Sequence, residues 1–418
     1  MYRRKTIVIK FVLLFVIIYS GTIFSQGNWI KYPVPVLETG STGSWDENIA
    51  GVNTVLLEDN LYKMWYEGDG GIGYATSSDG IHWIKDLLNN PVLIPGSSGA
   101  WDESEINHAS VLHLNNTYHL WYSGIDAAHD NRIGHAISLD GINWTKDSSN
   151  PVIDLGPSGR WDDHEVIHPT VIMENDTLKM WYNGHDGITQ RVLFAFSLDG
   201  SNWTRYTVNP VMEHGPSGSW DEDEIGPLSI LHLSGTYHMW YTGWNYNMDF
   251  RIGYATSSDG YNWNKDASNP VIQPGDVGSW ESEAVGVPFV IIENDTLKMW
   301  YGGTDNIKFQ TGYATLYFPT TGVNVFQFPS LNDFSLSQNY PNPFNPGTKI
   351  SWQSPVGSWQ ILNVYDVLGN EVAKLVDEEK PAGSYTVEFN ASNLASGIYF
   401  YQLKAGEYVG IKKMILIK

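Results

Sequence analysis

Cysteine is absent from all 418 residues, which excludes a disulfide framework, a thiolate nucleophile and any cysteine-ligated zinc or iron–sulfur site. Basic charge is scarce. Twenty-four lysines and arginines stand against 46 acids, a formal charge of −22 with no basic stripe, so sequence-independent binding to a phosphate backbone is excluded. Long apolar runs are lacking too: the stretch Phe11 to Tyr19 has nine residues, well short of the roughly 20 that a spanning helix needs. What the chain does have is 18 tryptophans, 24 tyrosines and 41 glycines within a 42% hydrophobic composition, which favours packed structure over disorder. The acidic excess sits in the middle, where residues 27 to 330 carry about −25.

Residues 1–26 open with Arg3, Arg4 and Lys5, pass through the apolar run and end in small and polar residues, the pattern of a secretory signal. No later segment approaches spanning length. The expectation is a mature chain without a transmembrane anchor.

Residues 334–418 read as short strands separated by turns, the spacing of a compact β-sandwich. The segment Ser337-Gln-Asn-Tyr-Pro-Asn-Pro-Phe-Asn-Pro-Gly-Thr-Lys-Ile350, the phrase Val364-Tyr-Asp-Val-Leu-Gly369 and the basic, apolar finish Lys412 to Lys418 resemble the type A sorting domain of the type IX secretion system. That resemblance implies handling by the type IX machinery of a Gram-negative cell after inner-membrane export, then release or attachment at the outer surface. It implies nothing about chemistry.

Between the two ends one phrase recurs five times, at Trp45-Asp46, Trp101-Asp102, Trp161-Asp162, Trp220-Asp221 and Trp280-Glu281, in steps of 56, 60, 59 and 60 residues. A second phrase keeps pace: Met64-Trp65-Tyr66, Leu120-Trp121-Tyr122, Met180-Trp181-Tyr182, Met239-Trp240-Tyr241 and Met299-Trp300-Tyr301. Each unit holds four period-two runs, and Asp-Gly pairs at 79, 140, 199 and 259 supply tight hairpins. The fold class expected is therefore all-β, a five-bladed β-propeller over 27–318, a linker over 319–333 and the sandwich. The fifth unit lacks its closing tryptophan, and Asn28-Trp29-Ile30-Lys31 near the N-terminus copies the missing piece. Residues 28–37 are thus expected to close blade 5.

Residues present in every blade are assigned to the lattice, and those that break symmetry near the axis become functional candidates. The Trp-Asp/Glu phrase, the Asp-Gly turns, and His119 and His238, which alternate with Lys63, Lys179 and Lys298, all fall in the lattice. Counting thirteen residues back from each Met/Leu-Trp-Tyr tryptophan gives Val52, His108, His168, Pro227 and Val287, and three residues earlier stand Glu105, Glu165 and Glu224 in blades 2 to 4. The second loops add Glu67 and Asp69 in blade 1, Asp126 and Arg132, Asp186 and Arg191, and Trp244 and Arg251. Trp244 stands outside the repeat and suits stacking against a sugar ring or packing under its own loop.

Phrases such as Thr117-Tyr-His-Leu-Trp-Tyr122 and Ile133-Gly-His-Ala-Ile-Ser-Leu-Asp-Gly-Ile-Asn-Trp144 resemble the arabinanase, levansucrase and invertase superfamily, the five-bladed fold of glycoside hydrolase families 43, 32, 68 and 130. The resemblance implies an Asp-Pro at the start of innermost strands. Here those positions hold His168-Pro169, His108-Ala109 and Val52-Asn53, so the family's aspartates are missing. Two readings follow. In the first, a secreted propeller binds and hydrolyses an extracellular polysaccharide or oligosaccharide, with Glu105, Glu165 and Glu224 supplying acid and base, and with His108, His168, Asp126, Arg132, Asp186, Arg191, Trp244 and Arg251 holding substrate. In the second, the pocket is degenerate and the chain is a non-catalytic carbohydrate-binding adhesin or scaffold. The rim carboxylates also admit a calcium ion on the axis.

Overall fold

The computed structural model describes residues 29–318 and 335–417, apart from 337, 340, 355–356, 368, 382 and 407. The expected signal segment and linker lie outside the described residues. Within them every element is a strand, and no helix is long and apolar enough to cross a membrane.

Five antiparallel units form the propeller. Blade 3 is typical: Glu165–Glu174 runs first, Thr177–His185 and Gln190–Ser197 follow, and a short outer strand, Trp203–Arg205, ends it. The first strands of the other blades are Gly51–Glu58, Glu105–Leu114, Glu224–Leu233 and Ala284–Glu293. Blade 5 takes its fourth strand, Ile30–Lys31, from the other end of the chain, with Ile30 opposite Thr315 and Lys31 opposite Ala314. Leu37 then bridges Thr311, as Leu93, Ile153, Met212 and Ile272 bridge the third strands of blades 1 to 4.

The repeated phrases explain this regularity. Trp65, Trp121, Trp181, Trp240 and Trp300 are fully buried. Four of them donate Nε1–H to the glycine carbonyl of an Asp-Gly turn in the next blade, Trp65 to Gly141, Trp121 to Gly200, Trp181 to Gly260 and Trp300 to Gly80, at 2.8–2.9 Å. Trp240 instead meets Trp29 edge-on at 6.3 Å, where the closing strand arrives. In the turns, Asp79 Oδ1 accepts the N–H groups of Ile81 and His82, and Gly80 adopts φ 79°, a left-handed state that glycine takes without steric cost.

Two kinds of seam join the blades. Lys63 and Glu58 of blade 1 share the Tyr118 hydroxyl of blade 2, Lys179 and Glu174 share Tyr237 of blade 4, and Lys298 and Glu293 share Tyr62 of blade 1. At the other two seams the tyrosine is replaced by Leu178 or Leu297. The lysine there becomes His119 or His238, which bonds inside its own blade to His135 or Tyr254.

The C-terminal unit packs two sheets face to face. One holds Ser335–Leu336, Gly347–Ser354 and Gly383–Asn390, and the other holds Glu371–Lys380, Ser358–Tyr365, Gly397–Ala405 and Tyr408–Leu416. Their core is built on Trp352, Leu362, Tyr401 and Met414.

Candidate axial site

All five first strands begin on one rim, and all five break register there. The irregularities fall between Val52 and Thr54, Asn107 and Ser110, Ile167 and Thr170, Ile225 and Leu228, and Gly286 and Phe289. Such bulges re-aim a side chain. Within them His108, His168 and Val287 hold φ of 48°, 56° and 50°, a left-handed conformation uncommon for residues other than glycine.

A bulged N–H leaves the ladder and needs another acceptor. The residue after the Met/Leu-Trp-Tyr tyrosine of the preceding blade supplies it. His108 N–H donates to Glu67 Oε2 at 3.1 Å, His168 N–H to Ser123 Oγ at 3.0 Å, and Val287 N–H to Thr242 Oγ1 at 2.8 Å. Pro227 has no N–H to give. There Asn183 reverses the bond and donates Nδ2–H to the Ile225 carbonyl at 2.9 Å. Only blade 1 uses a carboxyl for this bracket.

That carboxyl is unusual. Burial raises the pKa of Glu67 to about 7, the nearby charge of Glu105 adds to the effect, and the His108 N–H only partly opposes them. Burial also lowers His108 to about 4 against the pull of Glu105, and holds His168 well below the ordinary histidine value, with His108 adding to the shift. Both imidazoles are therefore neutral at pH 7. Their rings meet edge-to-face at 4.0 Å, each with a side-chain amide at Nδ1: Asn107 Oδ1 at 3.0 Å from His108 and Asn183 Oδ1 at 3.2 Å from His168.

Glu105, Glu165 and Glu224 open equivalent strands, yet they fall into two groups. Glu105 joins Glu67 and His108, and it accepts a bond from Asn107 Nδ2 at 3.1 Å. Glu165 and Glu224 flank His185: Glu165 is its register partner, and Glu224 Oε1 lies 3.3 Å from its Nε2. The hydrogen bond to Glu224, with the charges of Glu224, Glu165 and Asp186, raises the His185 pKa despite burial.

Several residues expected to hold substrate have other duties. The Arg132 guanidinium is enclosed by Asp126, Asp130 and Asp154, and Arg191 is bound by Asp186 and Glu213. These pairs close the second loop against the segment leading to the next blade, so Asp126, Arg132, Asp186 and Arg191 serve loop closure. Arg251 differs. Its nearest carboxylate, Asp249, is 3.8 Å away, and its buried Nε has no hydrogen-bond partner. Trp244 is the last residue of its strand, stacks on Phe250 at 4.9 Å, and covers Gly226, where a Cβ would meet the indole at 2.7 Å. Gln190, 4% exposed, brings an unpartnered Oε1 to the same spot. No group of three or more histidine or acidic side chains among the described residues is arranged to hold a metal ion, so the axial calcium finds no such cluster. A groove of about 490 Å³ on the outer rim of blade 2, lined by Trp101, Glu103, Asp126, Arg132, Pro151 and Asp154, contains none of the axial carboxylates.

Gln190 has no place in the sequence-based site, and Glu67 enters it only as a second-loop residue without an acid–base or substrate-holding role. The signal for Glu67 was present: the corresponding residues in the other blades are Ser123, Asn183, Thr242 and Gly302, all uncharged.

Residues 105–225 match the glycosyl hydrolases family 32 N-terminal domain, and residues 338–418 match the secretion system C-terminal sorting domain. The sorting domain assigns the chain to type IX secretion, toward the cell surface or the extracellular space. An uncharacterized protein of Mycobacterium tuberculosis is 27% identical over 279 residues, covering 62% of this chain and 89% of its own. A 1,2-beta-oligomannan phosphorylase of Thermoanaerobacter sp. is 23% identical over 56% of this chain and 76% of its own. The solved N-acetylgalactosamine deacetylase from F. plautii, in complex with blood group B trisaccharide, superposes with a TM-score of 0.56 at 17% identity, covering 69% of this chain and 96% of that one.

Proposed function

Because the chain folds as a glycoside-hydrolase-like propeller and carries a type IX sorting domain, we propose that its axial mouth binds and hydrolyses an extracellular glycan. The observation that carries this reading is the buried carboxyl of Glu67 beside Glu105 and two neutral imidazoles, His108 and His168, where the first strands begin. Glycosidic cleavage needs one protonated and one ionised carboxyl flanking the bond. Glu67 keeps its proton up to about pH 7 and serves as the acid. Glu105, Glu165 and Glu224 are the candidate partners. His108 and His168, neutral and held by amides, offer hydrogen bonds to sugar hydroxyls, while Trp244 and Arg251 of blade 4, with Gln190 of blade 3, form the wall against which a ring can lie.

The test is to incubate the full chain with a panel of soluble polysaccharides and measure binding and reducing-end release. Glu67→Gln and the Gln variants of Glu105, Glu165 and Glu224 follow on any substrate found. Loss of rate by about 10²-fold or more in Glu67→Gln and in one of the other three supports the assignment. No binding and no cleavage across the panel would refute it.

One observation favours the second reading, a binding propeller without catalysis: two of the three carboxylates are already engaged, Glu105 by Asn107 and Glu224 by His185. Binding without cleavage, unchanged in all four Gln variants, is its signature.

A further inference from the structure

In four blades the Trp-Asp/Glu tryptophan lies in a slot made by two glycines and a tyrosine. Trp45 covers Gly68 and Gly73, Trp101 covers Gly124 and Gly134, Trp220 covers Gly243 and Gly253, and Trp280 covers Gly303 and Gly312, so closely that a Cβ at any of these glycines would meet the indole within 3 Å. Their ring partners are Tyr66, Tyr122, Tyr241 and Tyr301, at centroid distances of 5.5–6.2 Å. Blade 3 is different. Leu193 stands where the others have Gly73, Gly134, Gly253 and Gly312, and it is 2% exposed and packed into the core beside Tyr182. With the slot filled by leucine, Trp161 is 37% exposed, and its ring lies under the Arg191 guanidinium at 4.5 Å.

We propose that Trp161 is a second, outer glycan-binding platform, on which a pyranose ring of a chain held at the axial mouth stacks. An indole left outside its slot exposes more apolar surface than its four counterparts, which are partly buried. Arg191 fixes its orientation, and Asp186 and Glu213 neutralise that cation at 2.7 Å, so the platform selects neutral sugars over polyanions. Its placement fits an extended ligand: Trp161 precedes Glu165 by four residues, which bounds their Cα separation at about 14 Å, a span an oligosaccharide can bridge. The ligand class rests on the glycan reading of the mouth. The surface itself is separate.

Affinity electrophoresis tests it. The full chain is run through gels containing mannan, xylan, arabinan or, as a charged control, polygalacturonate. Retardation by a neutral polymer is expected, weakened about three- to tenfold in W161A. A second variant, L193G, reopens the slot; it should draw the indole inward, lower acrylamide quenching of the tryptophan fluorescence, and weaken retardation similarly. E67Q should keep the outer contribution while losing cleavage. If folded W161A and L193G migrate like the wild type in every gel, or if no neutral polymer retards the wild-type chain, the platform is overturned. Cleavage that persists in W161A would leave the axial reading standing.

Discussion

Glu67 of blade 1 accepts the backbone N–H of His108 in blade 2 at 3.1 Å, so a carboxyl that titrates near neutrality holds a strained bulge on the neighbouring blade. The sign of the resulting pH dependence is fixed. A carboxyl raised from 4.5 unfolded to about 7 folded binds more protons in the native state, so its contribution is complete below 4.5 and is lost as pH rises through 7. Glu67→Gln keeps a side-chain acceptor for the bulge but cannot ionise. Its melting temperature should change less than the wild type's between pH 4.5 and 8, and at pH 8 it should be the more stable chain, by on the order of 3 kcal/mol or less. Parallel pH profiles for the two proteins would remove Glu67 as the titrating group.

The bulge makes a second prediction. His108 sits at φ 48°, where glycine is at ease and a Cβ is not. Denaturant titration should find His108→Ala less stable than His108→Gly by about 1 kcal/mol, reversing the usual order of these residues within a strand. Equal stabilities would mean that the bulge relaxes once the imidazole is gone.

Closure of the ring depends on a few N-terminal residues. Lys31 bonds Glu281, a carboxylate only 6% exposed, at 2.9 Å, besides the Gln273 carbonyl. Lys31→Ala strands that buried charge and should cost about 2 kcal/mol. Deleting residues 28–37 should go further and lower the melting temperature of the propeller as one cooperative transition. An unchanged melting curve after the deletion would refute closure through this strand.

The Tyr237 hydroxyl lies between Lys179, at 2.7 Å, and Glu174, at 2.6 Å. Tyr237→Phe keeps the ring and removes only the bridge, at an expected cost of about 1–2 kcal/mol by chemical denaturation. A neutral result would show the Lys179–Glu174 pair to be self-sufficient.

Most of the propeller was legible because its determinants recur: the buried tryptophan leaves the same spacing five times, and in four blades it reaches the next blade's Asp-Gly turn. The axial candidates were legible in part, since His108 and His168 stand at a countable offset. The ion pairs of Arg132 and Arg191 were not legible because their partners Asp154 and Glu213 lie 22 residues downstream, in segments whose approach depends on the folded ring. Trp161 was hidden for a related reason. Its own phrase fits the repeat, and the change that displaces it, Leu193, lies in a strand two steps away.

The alternation of seams gives the ring a parity. Lysine-type and histidine-type blades alternate through blades 1 to 4, but an odd number of blades forces two lysine-type blades to adjoin, and this happens where blade 5 meets blade 1. The blades are therefore not interchangeable modules. Exchanging two neighbours would leave a lysine–glutamate pair facing leucine and a tyrosine hydroxyl facing a blade with nothing to bind it, and excising any one of blades 2 to 5 would leave one of these two mismatches. Recombination within such a repeat array keeps its seams matched when blades 3 and 4 move together as a lysine–histidine pair, and blade 1 is the single blade whose loss would leave a lysine-type blade facing a tyrosine.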